Sequence, residues 1–325
     1  MELSSKLKDR ISIIDSALDD ALKEGVQPRL LKAMRHLPTA GGKRLRPILV
    51  MLTTEAVGGD SERSMPFGIS LEIVHNFTLV HDDIMDQDDL RRGVKTVHNV
   101  YGQNTAINAG DALLARAFEI LSSIDIEDTK LRNLVYEVAR MVRQLGEGQQ
   151  SDLDFENQVE ISADEYLEMI EKKTGLMFMM AAKGGALIGG GTDEQVEAMA
   201  EYGRLLGIGF QIWDDVLDIK RSKDMKSYGS DIKAGKKTLM MVYALEHANP
   251  EDKRKLTGIL GNRSASDDDI KLAIEILNRS GAVDYTENLA EDYANKAREL
   301  LNVLPDSDSK TVLEEFVEFM VKRDF

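Results

Sequence analysis

The sequence predicts an all-α protein, and three observations carry that expectation. Apolar residues recur at helical spacing over long stretches. Only 6 prolines interrupt 325 residues. No train of alternating strands bounded by turn dipeptides is found. Leu3, Leu7, Ile11, Ile14 and Leu18 step by three and four along the first stretch. Leu113, Leu114, Ala117, Phe118 and Leu121 repeat the pattern, as do Tyr293, Ala297, Leu300 and Leu301. Stripes with a period of about 3.6 residues turn one helix face to a core. Methionine, with its flexible thioether, fills gaps in such cores.

Turn-forming residues at 38–42, 58–61, 189–192, 222–235, 249–252, 261–267 and 305–309 mark loops between helices. None is long or biased enough for a domain linker, and no fixed repeat is present. One helical domain over residues 1–325 is therefore expected. The composition agrees, with 42% hydrophobic and 30% charged residues. The 41 basic against 57 acidic residues give a formal charge of −16. So acidic a chain is a poor fit to nonspecific nucleic-acid binding. Anionic substrates remain open where cations reverse the field locally. Cysteine is absent, which excludes disulfides, thiolate metal sites and a cysteine nucleophile. Residues 1–22 mix charges throughout and lack a signal-peptide core. No transmembrane segment is expected, and the location expected is cytoplasmic.

Two acidic clusters share one pattern. His81-Asp82-Asp83-Ile84-Met85-Asp86 follows an apolar helical run over 69–80. Asp214-Asp215-Val216-Leu217-Asp218 follows Phe210-Gln211-Ile212-Trp213. Residues i and i+4 share a helix face, so Asp82 projects with Asp86, and Asp214 with Asp218. Like charges so placed repel, and something positive must offset them. Oxygen-only donors suit a hard cation, Mg²⁺ first, bridged to phosphate groups.

Basic residues stand near these clusters in sequence. Gly41-Gly42-Lys43-Arg44-Leu45-Arg46-Pro47 puts three cations at an expected helix start, with Pro47 read as a first helical residue. A helix N-terminus with Lys and Arg suits an anion. Arg91-Arg92-Gly93, Lys172-Lys173-Thr174 and Lys236-Lys237-Thr238 add cations. Together these groups describe a site for two polyanionic ligands, one held by metal and one by Lys and Arg.

These residues match a known pattern. The chain resembles the trans-isoprenyl diphosphate synthases, or polyprenyl synthetases, over roughly 41–238. The shared features are the Gly-Gly-Lys-Arg-Leu-Arg-Pro run, the first Asp-rich motif ending in Arg91-Arg92-Gly93, and Gly110-Asp111-Ala112-Leu113-Leu114. Gly148-Gln149 with Asp152, Lys173-Thr174, and the second Asp-rich motif preceded by Gln211 complete the match. The nearest likeness is to archaeal short-chain geranylgeranyl and farnesyl diphosphate synthases. The resemblance implies a helical bundle around a deep apolar cavity, a homodimer, and several Mg²⁺ ions per active site.

It also implies residue roles. Asp82, Asp86 and Asp214 would ligate Mg²⁺, supported by Asp83, Asp215 and Asp218. Lys43, Arg46, His75 and Arg92 would hold isopentenyl diphosphate. Arg91, Lys173, Lys226 and Lys236 would hold the allylic diphosphate, with Thr174 and Gln211 near its reacting end. The loop after Asp218 is shorter than in many relatives, which makes Lys223 the alternative to Lys226. Lys322-Arg323 would close over the isopentenyl diphosphate. Metal and cations would stabilise the departing diphosphate. The isopentenyl double bond would attack the allylic cation, and a proton would leave to the released diphosphate. Water must stay out of that step.

Product length would depend on residues before Asp82. The helical wheel favours Thr78 for the face of Asp82, whereas the family pattern favours Phe77. An aromatic at Phe77 alone is similar to archaeal geranylgeranyl diphosphate synthases, with a farnesyl or mixed product as the alternative. The same residues discriminate against rival classes. A class I terpene cyclase would lack the Gly-Lys-x-x-Arg-Pro site, and a noncatalytic synthase subunit would lose the Asp-rich motifs. A helical di-iron protein needs two Glu-x-x-His pairs. Glu72 and His75 supply one, and His36, His81, His98 and His247 supply none.

Overall fold

The computed structural model describes residues 3–25, 27–158, 160–220 and 229–322. The first helices are α1 (Leu3–Ala21), α2 (Pro28–His36), α3 (Leu45–Ala56) and α4 (Ser61–Met85). A hairpin of β1 (Leu90–Arg91) and β2 (Val94–Lys95) precedes α5 (Val97–Tyr101), α6 (Gln103–Ser122) and α7 (Asp128–Asn157). Then come α8 (Ala163–Ile170), a π-helix (Glu171–Gly175), α9 (Leu176–Ile188), α10 (Asp193–Lys220) and α11 (Ser230–Ala234). The last are α12 (Leu239–His247), α13 (Pro250–Ile259), α14 (Asp267–Arg279), α15 (Ala282–Leu300) and α16 (Asp308–Lys322). The all-α expectation holds. The hairpin is a small addition that sequence periodicity did not reveal.

The chain divides into two compact units. The first comprises Met1–Val142, Met180–Ala200 and Leu301–Leu313. The second comprises Arg143–Met179, Glu201–Leu300 and Glu314–Phe325. In the first unit α4 packs against both α3 and α6. Ile48, Leu49 and Leu52 of α3, Leu71 of α4, and Leu113 and Leu121 of α6 are fully enclosed. Ser70 of α4 donates its hydroxyl to the Ala117 carbonyl of α6 at 2.9 Å. Asp60 caps α4 by accepting the Glu62 N–H. Asp86 closes the other end, its N–H donating to the Asp82 carbonyl at 2.8 Å.

In the second unit one apolar cluster joins Val216 of α10, Met240 of α12, Leu256 of α13 and Ile276 of α14. Another joins Tyr166 and Ile170 of α8 to Ile208 and Ile212 of α10. Capping boxes at Ser162 with Glu165 and Ser266 with Asp269 set the starts of α8 and α14. Among the described residues no helix is long and apolar enough to cross a membrane.

Candidate active site

The first unit builds an arginine-rich site around α4 and the hairpin. Helix α3 begins at Leu45, so Pro47 is its third residue rather than its first. Its missing N–H is still one of the four that no helical carbonyl accepts. Arg44 is the N-cap, in the left-handed region at φ 50°. It is buried and fully engaged. Its Nη1 donates to Glu72 Oε1 at 2.8 Å, its Nε to Asp15 at 2.7 Å, and its Nη2 to the Pro38 carbonyl at 2.6 Å. Arg44 therefore anchors the chain, and Glu72 is committed to it rather than to a metal. Lys43 beside it is exposed.

The hairpin turns at Arg92 and Gly93, with φ of 53° and 78°. Positive φ at both central residues matches the twist of a two-residue hairpin. The turn sends the two arginines to different partners. Arg91 Nε donates to Asp83 Oδ1 at 2.7 Å, and its Nη2 to Asp88 at 2.9 Å. Arg92 Nη1 donates to the Gly41 carbonyl at 2.6 Å and to Asn76 Oδ1 at 3.3 Å.

The arginines act on one another's charge. Burial lowers Arg46 to about 10, with Glu72 opposing and Arg92 adding to the fall. Burial and the fields of Arg46, Arg92, Arg91 and Arg44 hold His75 well below the usual histidine value, so it is neutral. Burial lowers Arg46 and Arg92, whereas their carboxylate partners raise Arg44 and Arg91, and cations so clustered favour an anion.

The three acids of the first motif differ in surroundings. Asp82 and Asp86 are half-buried, one turn apart, in the last turn and at the C-cap of α4. Asp83 is fully buried against Arg91. Burial pushes its carboxyl up, although Arg91 opposes. Asp83 Oδ2 is enclosed and accepts no hydrogen bond among the described residues. Phe77 and Thr78 are partly buried on the same helix. The Phe77 ring meets the His81 ring edge-on at 4.9 Å, and the Thr78 hydroxyl donates to the His75 carbonyl at 2.8 Å.

The second unit holds a cavity of 110 Å³ whose walls include Lys173, Thr174, Gln211, Asp215 and Lys236. Four of the residues expected at the allylic diphosphate thus line one space. Arg91 belongs to the first unit, and Lys223, Lys226 and Arg323 lie outside the described residues, as does the side chain of Lys322. The π-helix presents Lys173 and Thr174. A side chain at Gly148 of α7 would meet the Lys173 backbone nitrogen at 2.6 Å, so glycine lets α7 approach this turn. Lys173 Nζ donates to Asp152 Oδ2 at 2.6 Å, and Lys236 Nζ to the same oxygen at 3.3 Å. Burial raises the Asp152 carboxyl, but the two ammoniums outweigh it and leave Asp152 below its ordinary value. Lys237 instead donates to the carbonyls of Phe155, in the last turn of α7, and Gln158, just past its end.

The second acid motif is held by neutral donors. Asp215 accepts the Tyr166 hydroxyl at 2.5 Å on one oxygen and Gln211 Nε2 at 3.0 Å on the other. Asp218 accepts the Ser230 hydroxyl at 2.7 Å and the Asp231 N–H at 3.3 Å. Asp214 is half-buried. Burial and the neighbouring Asp218 push Asp231 up to about 7, with Lys236 opposing. Burial and Asp231 likewise raise Asp215 well above the carboxylate range. Carboxyls that burial and one another hold protonated are suited to a cation. Oxygen-only donors fit a hard divalent ion, although among the described residues no three ligands already converge on one point.

Asp231 and Tyr166 were not in the sequence-derived site. Asp231 follows Gly229-Ser230, thirteen residues after Asp218, and nothing in periodicity marks it. Tyr166 reads as an ordinary core aromatic of α8.

The chain is similar to known proteins over nearly its whole length. The family model for polyprenyl synthetase matches residues 27–277. A geranylgeranyl diphosphate synthase of Methanosarcina mazei is 42% identical over 327 residues, spanning 100% of this chain and 99% of that protein. A geranylfarnesyl diphosphate synthase of Natronomonas pharaonis is 35% identical, spanning 99% of this chain and 98% of that protein. The crystal structure of geranylgeranyl pyrophosphate synthetase from Pyrococcus horikoshii superposes with a TM-score of 0.93 at 40% identity, covering 99% of this chain and 98% of that one. The chain belongs to the polyprenyl synthetase family.

Proposed function

We propose that this member of the polyprenyl synthetase family is a trans-prenyltransferase that joins isopentenyl diphosphate to allylic diphosphates, with geranylgeranyl diphosphate as its main product. The observation that carries the reading is the pair of acid motifs, each set beside its own group of cations. Residues 1–325 are read as one domain of this family, assembled as a homodimer in the cytoplasm, with the dimer to be checked by light scattering.

Asp82, Asp86 and Asp214 would hold Mg²⁺, with Asp83, Asp215 and Asp218 as supporting carboxylates. Bound metal supplies Lewis-acid stabilisation of the charge on the departing diphosphate. Lys173 and Lys236, steadied by Asp152, hold that diphosphate and lower the cost of its negative charge. Thr174 and Gln211 stand at the reacting end. Arg46 and Arg92, with neutral His75 and exposed Lys43, orient isopentenyl diphosphate so that its double bond meets the allylic carbon. The carbon–oxygen bond breaks, the new carbon–carbon bond forms, and a proton passes to the released diphosphate. Apolar walls keep water from quenching the cation. Phe77 sets the floor for the growing chain.

The test is incorporation of labelled isopentenyl diphosphate with dimethylallyl diphosphate as starter. Incorporation is expected with Mg²⁺ and is lost with a chelator. Folded protein that elongates no starter at any Mg²⁺ concentration contradicts the reading.

A further inference from the structure

The second unit contains a buried hydroxyl with a definite task. Tyr166 of α8 is 2% exposed and donates to Asp215 Oδ2 at 2.5 Å. Asp215 Oδ1 accepts Gln211 Nε2 at 3.0 Å. Gln211 Oε1 in turn accepts the Thr174 hydroxyl at 3.0 Å. The continuous segment from α8 through the π-helix is thus pinned to α10 at two points, Tyr166 and Thr174. Asp215 and Gln211, one turn apart on α10, receive the pins.

The π-helix makes the second pin attainable. At 3.6 residues per turn, residue 174 of an uninterrupted α-helix would stand about 80° round from residue 166. A π turn closes from i to i+5 and rotates less per residue. It therefore swings Thr174 back toward the face that carries Tyr166. Lys173 rides on the same turn and reaches Asp152. Both oxygens of Asp215 are taken by donors of this chain, which marks it as an anchor for this network.

We propose that Tyr166 is a positioning residue for the allylic substrate. Through Asp215 it fixes Gln211 and Thr174 at the reacting end of an allylic diphosphate. Phenylalanine would fill the same space, but Asp215 would lose one of its two donors. Gln211 would then be drawn toward Asp215 and away from Thr174. This inference rests on the functional reading above.

The experiment compares wild type, Tyr166→Phe, Thr174→Val and the double variant, elongating dimethylallyl diphosphate at saturating Mg²⁺. For Tyr166→Phe, kcat/KM for the allylic substrate is expected to fall roughly tenfold, as for loss of one buried hydrogen bond. KM for isopentenyl diphosphate is expected to stay within about twofold, because the lost bond belongs to the other substrate's site. The double variant should be less impaired than the product of the single effects, because both changes cut one network. Melting curves separate these effects from loss of fold. An unchanged allylic kcat/KM, an equal rise in both KM values, or strictly multiplicative effects would overturn the positioning role. Failure of the wild type to elongate any starter would instead overturn the functional reading. An active wild type matched by Tyr166→Phe defeats this inference alone.

Discussion

The two Asp-rich motifs have the same spelling and different surroundings. In the first unit the middle acid, Asp83, meets a full positive charge on Arg91. In the second the middle acid, Asp215, meets a hydroxyl and an amide, with Asp231 close enough to raise it further. In the first site burial lowers Arg46 to about 10, with Arg92 adding to the fall, and burial with the neighbouring arginines keeps His75 neutral. In the second, burial and then the neighbouring Asp218 lift Asp231 to about 7. The first site thus gathers cations and the second gathers carboxyls. An identical five-residue pattern does not fix its electrostatics; the packed neighbours do.

The largest test of this comparison removes one acid from each motif. Asp82→Ala and Asp214→Ala are each expected to lower turnover about a thousandfold or more, since each would remove a ligand for the charge-stabilising metal. Steady-state rates at saturating Mg²⁺, with melting curves to confirm folding, decide it. A near-normal rate for either would leave only one motif in the reaction.

Removing cations should split the two substrates. Arg92→Ala is expected to raise KM for isopentenyl diphosphate roughly tenfold, and Lys236→Ala to do the same for the allylic partner. Reversed or equal effects would break the assignment of one polyanion to each surrounding. A smaller effect concerns product alone. Phe77→Ala should shift chain length upward with little change in rate, and unchanged products would return Phe77 to ordinary packing.

The smallest effect is on stability. The folded pKa of His75 is depressed, so below about 6.5 the unfolded chain takes up a proton that the folded chain refuses. Folding should therefore weaken as pH falls below that value. His75→Asn should remove this contribution, visible as roughly one or two degrees less loss of melting temperature between pH 7.5 and 5.5. Identical pH profiles for the two proteins would contradict a neutral His75 among arginines.

Much of this arrangement was legible in the sequence, for physical reasons. The stripe of Leu7, Ile14 and Leu18 became the buried face of α1 because a 3.6 period leaves an apolar face no other outlet. The acid motifs were legible because four-residue spacing is itself a geometric statement. What escaped was whatever depends on a partner distant in sequence. Arg44 sits between two expected ligands, and only its contacts with Asp15 and Glu72 reveal an anchor. Tyr166 and Asp231 lie 49 residues before Asp215 and 13 after Asp218. The hairpin was missed because two strands of two residues carry no periodicity, and Arg92-Gly93 does not spell the commonest turn. The π-helix has no spacing signature either, because it shows only against the residues it aligns.

The most direct measurement resolves the products of the purified protein by chain length. Labelled isopentenyl diphosphate is supplied with dimethylallyl, geranyl or farnesyl diphosphate in separate reactions containing Mg²⁺, and the products are dephosphorylated. Geranylgeraniol as the main alcohol from every starter is the expected result. Farnesol or longer alcohols as the main product would contradict the Phe77 floor, and no elongation from any starter would contradict the enzyme reading itself.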